Sequence, residues 1–172
     1  RYSYSSGKIE DALQVLKDTS DTVIFHLHWT RHILVRAKSP MEAEVWKSKY
    51  LQKIFEFISL GGSLIWTIHN ALPHNCKYIK QEVSLRNVLV EAANKIHIHS
   101  KASILEIQKH INLPLDKVQI SPHGNYVGVY PNKVDRATAR KHFGFSPEET
   151  VFLFLGQIRY YKGIDILMEA FA

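Results

Sequence analysis

Five short β-forming runs punctuate this sequence, and a stretch with helical spacing separates most neighbouring pairs. That alternation constrains the fold more than any other feature. The runs are TVIFHLHW (22–29), SLIWTIHN (63–70), KIHIHS (95–100), Lys117 to Ser121 and VFLFLG (151–156). The first two are almost continuously apolar, the pattern of strands in a parallel sheet that is covered rather than half-wetted. Between them lie helical patterns over 39–60, 78–93, 101–110 and 135–143, and KIEDALQVLK (8–17) supplies another before the first run. Ser39-Pro40 places a capping hydroxyl and a proline at a helix start, Gly61-Gly62 ends that helix, and Gly144 closes the one from 135. A final helix is expected near Lys162. Strands separated by helices of this length imply βαβ units. The expected class is α/β, a Rossmann-like parallel sheet with helices on both faces.

The histidines are distributed unevenly. Four successive runs end in a histidine followed by a loop: His28, His69, His99 and His123. In an open parallel sheet, ligands bind in the crevice beyond the carboxyl ends of the strands, so all four fall on the binding edge. Imidazoles there can hydrogen-bond a sugar hydroxyl or a phosphate, or move a proton near neutral pH. Each one alone also reads as an ordinary hydrogen-bonded strand-end residue. His26 and His97, two residues earlier, share a face with His28 and His99 and are expected to pack inward. The two HxH pairs raise a metal site, but no carboxylate or cysteine lies near either pair, and HExxH and CxxC are absent, so no metal is assigned. Trp29 beside His28 suits either a sugar face or a core.

Other chemistries find little support. No GxSxG, GxGxxG or Walker pattern occurs, and the one cysteine, Cys76, sits in a loop without special neighbours. A single cysteine forms no internal disulfide and suits a reducing compartment. The net charge of +6 is spread along the chain without a dense basic block, which argues against nucleic acid. A mildly basic face suits anionic lipid headgroups or a phosphorylated substrate equally well. The loop SPHGNYVGVYP (121–131) combines glycine, proline, amide and tyrosine; Gly124 would let the backbone turn sharply, and Asn125 would meet hydroxyls.

TIHN, IHSKAS, ISPHGNYVGVYP and GQIRYYKGIDILMEAF resemble, in order and spacing over residues 22–172, the nucleotide-sugar glycosyltransferases of family 4. The resemblance implies GT-B architecture, with an acceptor-side domain over 1–146 and the first strand and helix of a donor domain over 147–172. It implies a retaining enzyme of bacterial cell-surface polysaccharide synthesis, cytoplasmic or peripheral at the inner membrane face. The co-substrate would be a nucleoside-diphosphate sugar with no further cofactor, and the acceptor a glycan or lipid-linked hydroxyl. His69 matches a histidine facing the transferred sugar. Lys162 matches the lysine that pairs with the donor diphosphate, where a helix N-terminus adds its dipole. His28, Asn70, His99, Ser100, His123, Gly124 and Asn125 fall on the acceptor or interdomain cleft. The family's arginine directly after the first glycine is Gln157 here. Arg159, two residues on, is expected to take its place. The resemblance also leaves the family's glycine-rich loop before residue 1 and its paired glutamates after residue 172, so the chain by itself is expected to bind donor poorly and catalyse nothing. A GT-B sugar-nucleotide epimerase and a non-catalytic carbohydrate-binding domain are the alternatives.

Overall fold

The structure, a computed structural model, describes residues 3 and 5–171. It falls into two compact units, residues 1–124 and residues 125–172. The first is α/β as expected. Its elements are α1 (Ile9–Asp18), β1 (Ile24–Leu27), α2 (Arg31–Leu34), α3 (Pro40–Ser59), β2 (Ser63–Thr67), α4 (Ile79–Ala92), β3 (Lys95–Ile98), α5 (Ala102–Gln108) and β4 (Val118–Ile120). The four strands are all parallel and lie in the order β1-β2-β3-β4.

Parallel strands in sequence order need crossover connections, and the helices that make them pack against the sheet. Burial follows that geometry. Leu27, Leu64, Trp66, Ile96 and Ile98 are buried, and they share one core with Ile54 and Phe57 of α3, Leu85 and Leu89 of α4 and Ile107 of α5. α1 adds Ile9 and Leu13 to the same core and packs against α3. Side chains alternate along a strand, so the residues between these point the other way. That second face carries Ile24, His26, Ile65, Thr67, Lys95 and His97, and of these only Thr67 is buried.

Local signals account for the element ends. Ser39 Oγ accepts the Glu42 amide at 3.1 Å, and proline occupies the first helical turn of α3, as the sequence implies. α3 stops at Gly61, which adopts φ +94°, a left-handed value that favours glycine. β1 is shorter than the run 22–29 from which it was expected, because pairing with β2 covers Ile24 to Leu27 only. The short helix α2 was not anticipated; Ile33 and Leu34 anchor it in the core.

In residues 125–172, Asp135 caps α6 (Arg136–Phe143) by accepting the Thr138 amide at 2.8 Å, and Gly144 closes the helix at φ +74°. Here one expectation fails. The run VFLFLG does not form a strand; Leu153 and Leu155 are 84% and 90% exposed. β-propensity needs a neighbouring strand to complete the hydrogen-bond ladder, and none is paired with this run among the described residues. The last helix begins at Ile164 rather than at Lys162, which belongs to a 3-10 turn, Tyr160–Lys162, ended by Gly163 at φ +65°. The second unit therefore holds the expected helix without the expected strand.

Gly62 tests the core from the backbone side. A Cβ at this position would collide with the ring of Phe57, which is wholly buried. Gly62→Ala should lower unfolding stability by about 1–3 kcal/mol, measured from urea denaturation. Gly61→Asn, at a position with open space and a left-handed backbone, should cost less.

Candidate functional site at the carboxyl edge of the sheet

The strand-end histidines do meet. Pairing of Thr67 with His97, continued by two residues, sets His69 beside His99, and Ile98 opposite Ile120 leads in the same way to His99 beside Ser121. Main-chain bonds hold the register past the strand ends: Ile68 N donates to His97 O at 2.9 Å, and Ser121 N to Ile98 O at 3.0 Å. The rings then line up. His28 Nδ1 lies 3.0 Å from His69 Nε2, and His69 Nδ1 lies 3.3 Å from His99 Nε2. His99 Nδ1 reaches Ser121 O at 3.2 Å, and the His123 ring lies 5.1 Å from that of His99. His123 Nδ1 is itself 2.8 Å from Gly124 O.

One step back along the strands runs a second row. His26 Nε2 is 2.7 Å from Thr67 Oγ1, which is 3.2 Å from His97 Nδ1. The expectation that His26 packs inward is corrected: it is exposed, on the strand face that also carries the exposed Ile24 and Lys95, and its ring lies 4.3 Å from His28. His97 is half-buried. Trp29, 53% exposed, is no core residue; its indole stacks on His69 at 4.4 Å and 13°.

Beneath the row lies a group that sequence reasoning missed. Glu82 and Arg86, one turn apart on α4, are both buried and joined at 2.7 Å. Arg86 also donates to the carbonyls of Asn70 (2.8 Å) and Ala71 (2.9 Å), to Thr30 Oγ1 (3.0 Å), and lies over the Trp66 ring at 5.4 Å. Thr30 completes the triangle by donating to Glu82 Oε1 at 2.5 Å. The loops after β1 and β2, which carry His28 and His69, are thus tied to one guanidinium. The available signal was an acid and a base four residues apart in a helix whose neighbouring positions are apolar.

The remaining expected residues divide between the two units. His69, Asn70 and Ser100 line a groove of about 440 Å³ that also includes Ser103 and Glu106. Ser100 Oγ is 2.9 Å from Ser103 Oγ at the start of α5. A smaller pocket takes in His28, Trp29, His69 and Trp66, whose buried indole N–H has no hydrogen-bond partner among the described residues. Gly124 does not supply the sharp turn expected of it; the left-handed backbone belongs to Gly128, at φ +77°. Asn125 turns its carbonyl oxygen to the Val127 amide at 2.9 Å, within its own loop. In the second unit Arg159 donates to Gln157 Oε1 at 3.0 Å, so these two side chains do lie together, and Lys162 Nζ sits 5.3 Å from the Tyr161 ring centre. Among the described residues, no cluster of three or more His, Cys, Asp or Glu is arranged to hold a metal ion. Burial pushes the Cys76 thiol up, with Glu82 adding to the effect, the reverse of what activates a nucleophile.

Burial, and then the neighbouring imidazoles of His28, His99, His123 and His97, hold the pKa of His69 below the ordinary histidine value. Burial followed by His28 and His97 does the same to His26. The unfolded chain takes up these protons near pH ~6.5, whereas the folded chain resists them to lower pH. Their contribution is present in full above the unfolded value and is lost as pH falls through the depressed folded values. Urea midpoints should therefore drop on acidification below pH ~6.5, and His69→Phe should flatten that slope.

Removing Arg86 would leave the Glu82 carboxylate buried without its partner. Arg86→Met should cost about 3–5 kcal/mol in urea denaturation. Glu82→Gln/Arg86→Met should recover part of that loss, because the stranded charge is gone.

No protein-family model matches the chain, and no curated protein matches it.

Proposed function

We propose that residues 1–124 form the acceptor side of a nucleotide-sugar glycosyltransferase of the GT-B type. In this reading the protein takes part in moving a sugar from a nucleoside diphosphate to a hydroxyl of a glycan or lipid-linked acceptor, with retention and without a metal. The observation that carries the reading is the row His28–His69–His99 at the carboxyl edge of a parallel sheet, stacked against Trp29. Such an edge is where α/β sheets receive ligands, and an aromatic face beside hydrogen-bonding rings suits a saccharide. Asn70 and Ser100 extend the polar lining along the adjoining groove. Arg159 and Lys162 would meet the donor diphosphate, opposing the negative charge that grows on it as the glycosidic bond breaks. No helix among the described residues is long and apolar enough to cross a membrane. A cytoplasmic setting, with the basic surplus meeting a diphosphate-linked acceptor at a membrane face, belongs to the same proposal, as does the absence of a nucleic-acid partner.

A second reading, a carbohydrate-binding domain without catalysis, is favoured by the placement of the whole row within residues 1–124. The two readings separate on the donor. Oligosaccharides titrated into the chain should quench Trp29 emission and shift the His28 ring resonances. His28→Ala should weaken that binding about tenfold, as loss of one hydrogen bond of roughly 1.4 kcal/mol would. In the transferase reading, Lys162→Ala and Arg159→Ala each lower affinity for nucleoside-diphosphate sugars and leave oligosaccharide binding intact. Donor affinity unaffected by both substitutions would sink that reading in favour of the second. No response to any saccharide or sugar nucleotide would sink both.

A further inference from the structure

The geometry points to a directed row of hydrogen bonds in which one backbone carbonyl sets the tautomer of three histidines and leaves His28 Nε2 as a bare, proton-accepting end. The fixed end of the row is Ser121 O. A carbonyl oxygen only accepts, so His99 Nδ1, 3.2 Å away, carries the proton. A neutral imidazole has one N–H and one lone pair, so His99 Nε2 is bare and accepts from His69 Nδ1 at 3.3 Å. His69 Nε2 is then bare in turn and accepts from His28 Nδ1 at 3.0 Å. Among the described residues, the one nitrogen of the three rings left without a hydrogen-bond partner is His28 Nε2, on an exposed residue beside Trp29. The three rings are thus held as Nδ1–H tautomers, against the preference of free histidine for Nε2–H.

A row with this polarity can move a proton. A hydroxyl-bearing ligand, water or a saccharide, donates into the lone pair of His28 Nε2. When the proton transfers, the His28 Nδ1 proton passes to His69 Nε2 and the His69 Nδ1 proton passes to His99 Nε2. The ligand is left as its conjugate base and His99 as the cation, with one N–H on Ser121 O and the other on His69 Nδ1. The ligand–His28, His28–His69 and His69–His99 bonds survive with their direction reversed, and the His99–Ser121 bond keeps its own, so no hydrogen bond is lost in the transfer.

The groups around the row agree with conduction through His69 rather than residence on it. Facing that ring are the imidazoles of His28, His97, His99 and His123, with Arg31 and the Glu82-paired Arg86 lining the same pocket. The carboxylates nearby are already matched, Glu82 by Arg86 and Glu106, which shares a groove with His69, by Lys109 at 2.6 Å. Burial and the four imidazoles hold the His69 pKa down, which disfavours a charge resident on that ring. The row is fixed by ring geometry and has the same polarity whether or not the protein transfers sugars.

The test is nuclear magnetic resonance of the full chain with ring-15N-labelled histidine. At a pH above the histidine range, about 8.5, long-range 1H–15N correlations should show His28, His69 and His99 each protonated at Nδ1 and bare at Nε2. An Nε2–H tautomer at His28 or His69 overturns the inference at once. On acidification the first changes at His28 and His99 should follow one shared curve, as coupled sites do. His69→Phe keeps the ring stacked on Trp29 but cuts the row, and should split that curve into two. His69→Gln serves the same purpose where the phenylalanine variant lacks dispersed amide resonances. Separate curves in the unaltered chain, or a shared curve that survives the cut, would overturn the relay.

Discussion

The site depends first on the buried ion pair of Glu82 and Arg86. Taking two charges out of water is costly, and attraction within the pair compensates only when the remaining donors and acceptors are satisfied. Here the guanidinium spends its other protons on the carbonyls of Asn70 and Ala71 and on the Thr30 hydroxyl, and that hydroxyl returns a bond to Glu82. One helix thereby fixes two loops from different strands. His28 and His69 are within two residues of these anchor points, and their 3.0 Å separation rests on that fixing. Main-chain pairing of Ser121 with Ile98 performs the same service for His99.

The division of labour between sheet and helix follows from periodicity. Alternation along the strands sends Leu27, Trp66, Ile96 and Ile98 into the core and leaves His26, Thr67 and His97 on the other face. Register sets Thr67 beside His97, and the β1 imidazoles join from two residues behind it: His26 pairs with Ile65 in the ladder yet its ring reaches Thr67, and His28 reaches His69. The buried Thr67 hydroxyl links the lower row, meeting His26 on one side and His97 on the other.

Much of this was legible in the sequence, unevenly so. The α/β class, the parallel sheet and the cap at Ser39 follow from runs, spacings and single residues. The four strand-end histidines could be placed on one edge, because a strand end and a period of two suffice for that. Their ring-to-ring bonds could not be read, since those depend on register, and register is a property of pairs of strands. The Glu82–Arg86 pair hid for a related reason: Thr30, Asn70 and Glu82 are dozens of residues apart along the chain. VFLFLG shows the opposite error. Its residues favour a strand, but propensity acts through neighbours, and without a paired strand the run stays exposed. Gly124 and Gly128 differ likewise, as composition marks both and backbone geometry requires only one.

Strictly sequential strand order also bears on the sheet's margins. The strands advance from β1 to β4 and never return, so no described residue pairs with the outer side of either margin. Each margin presents a line of main-chain donors and acceptors, and β1 adds the exposed Ile24. The breadth of this sheet is therefore not a quantity its own four strands determine. A further parallel strand joining at β1 would pair with its free main-chain groups and cover the open side of His28.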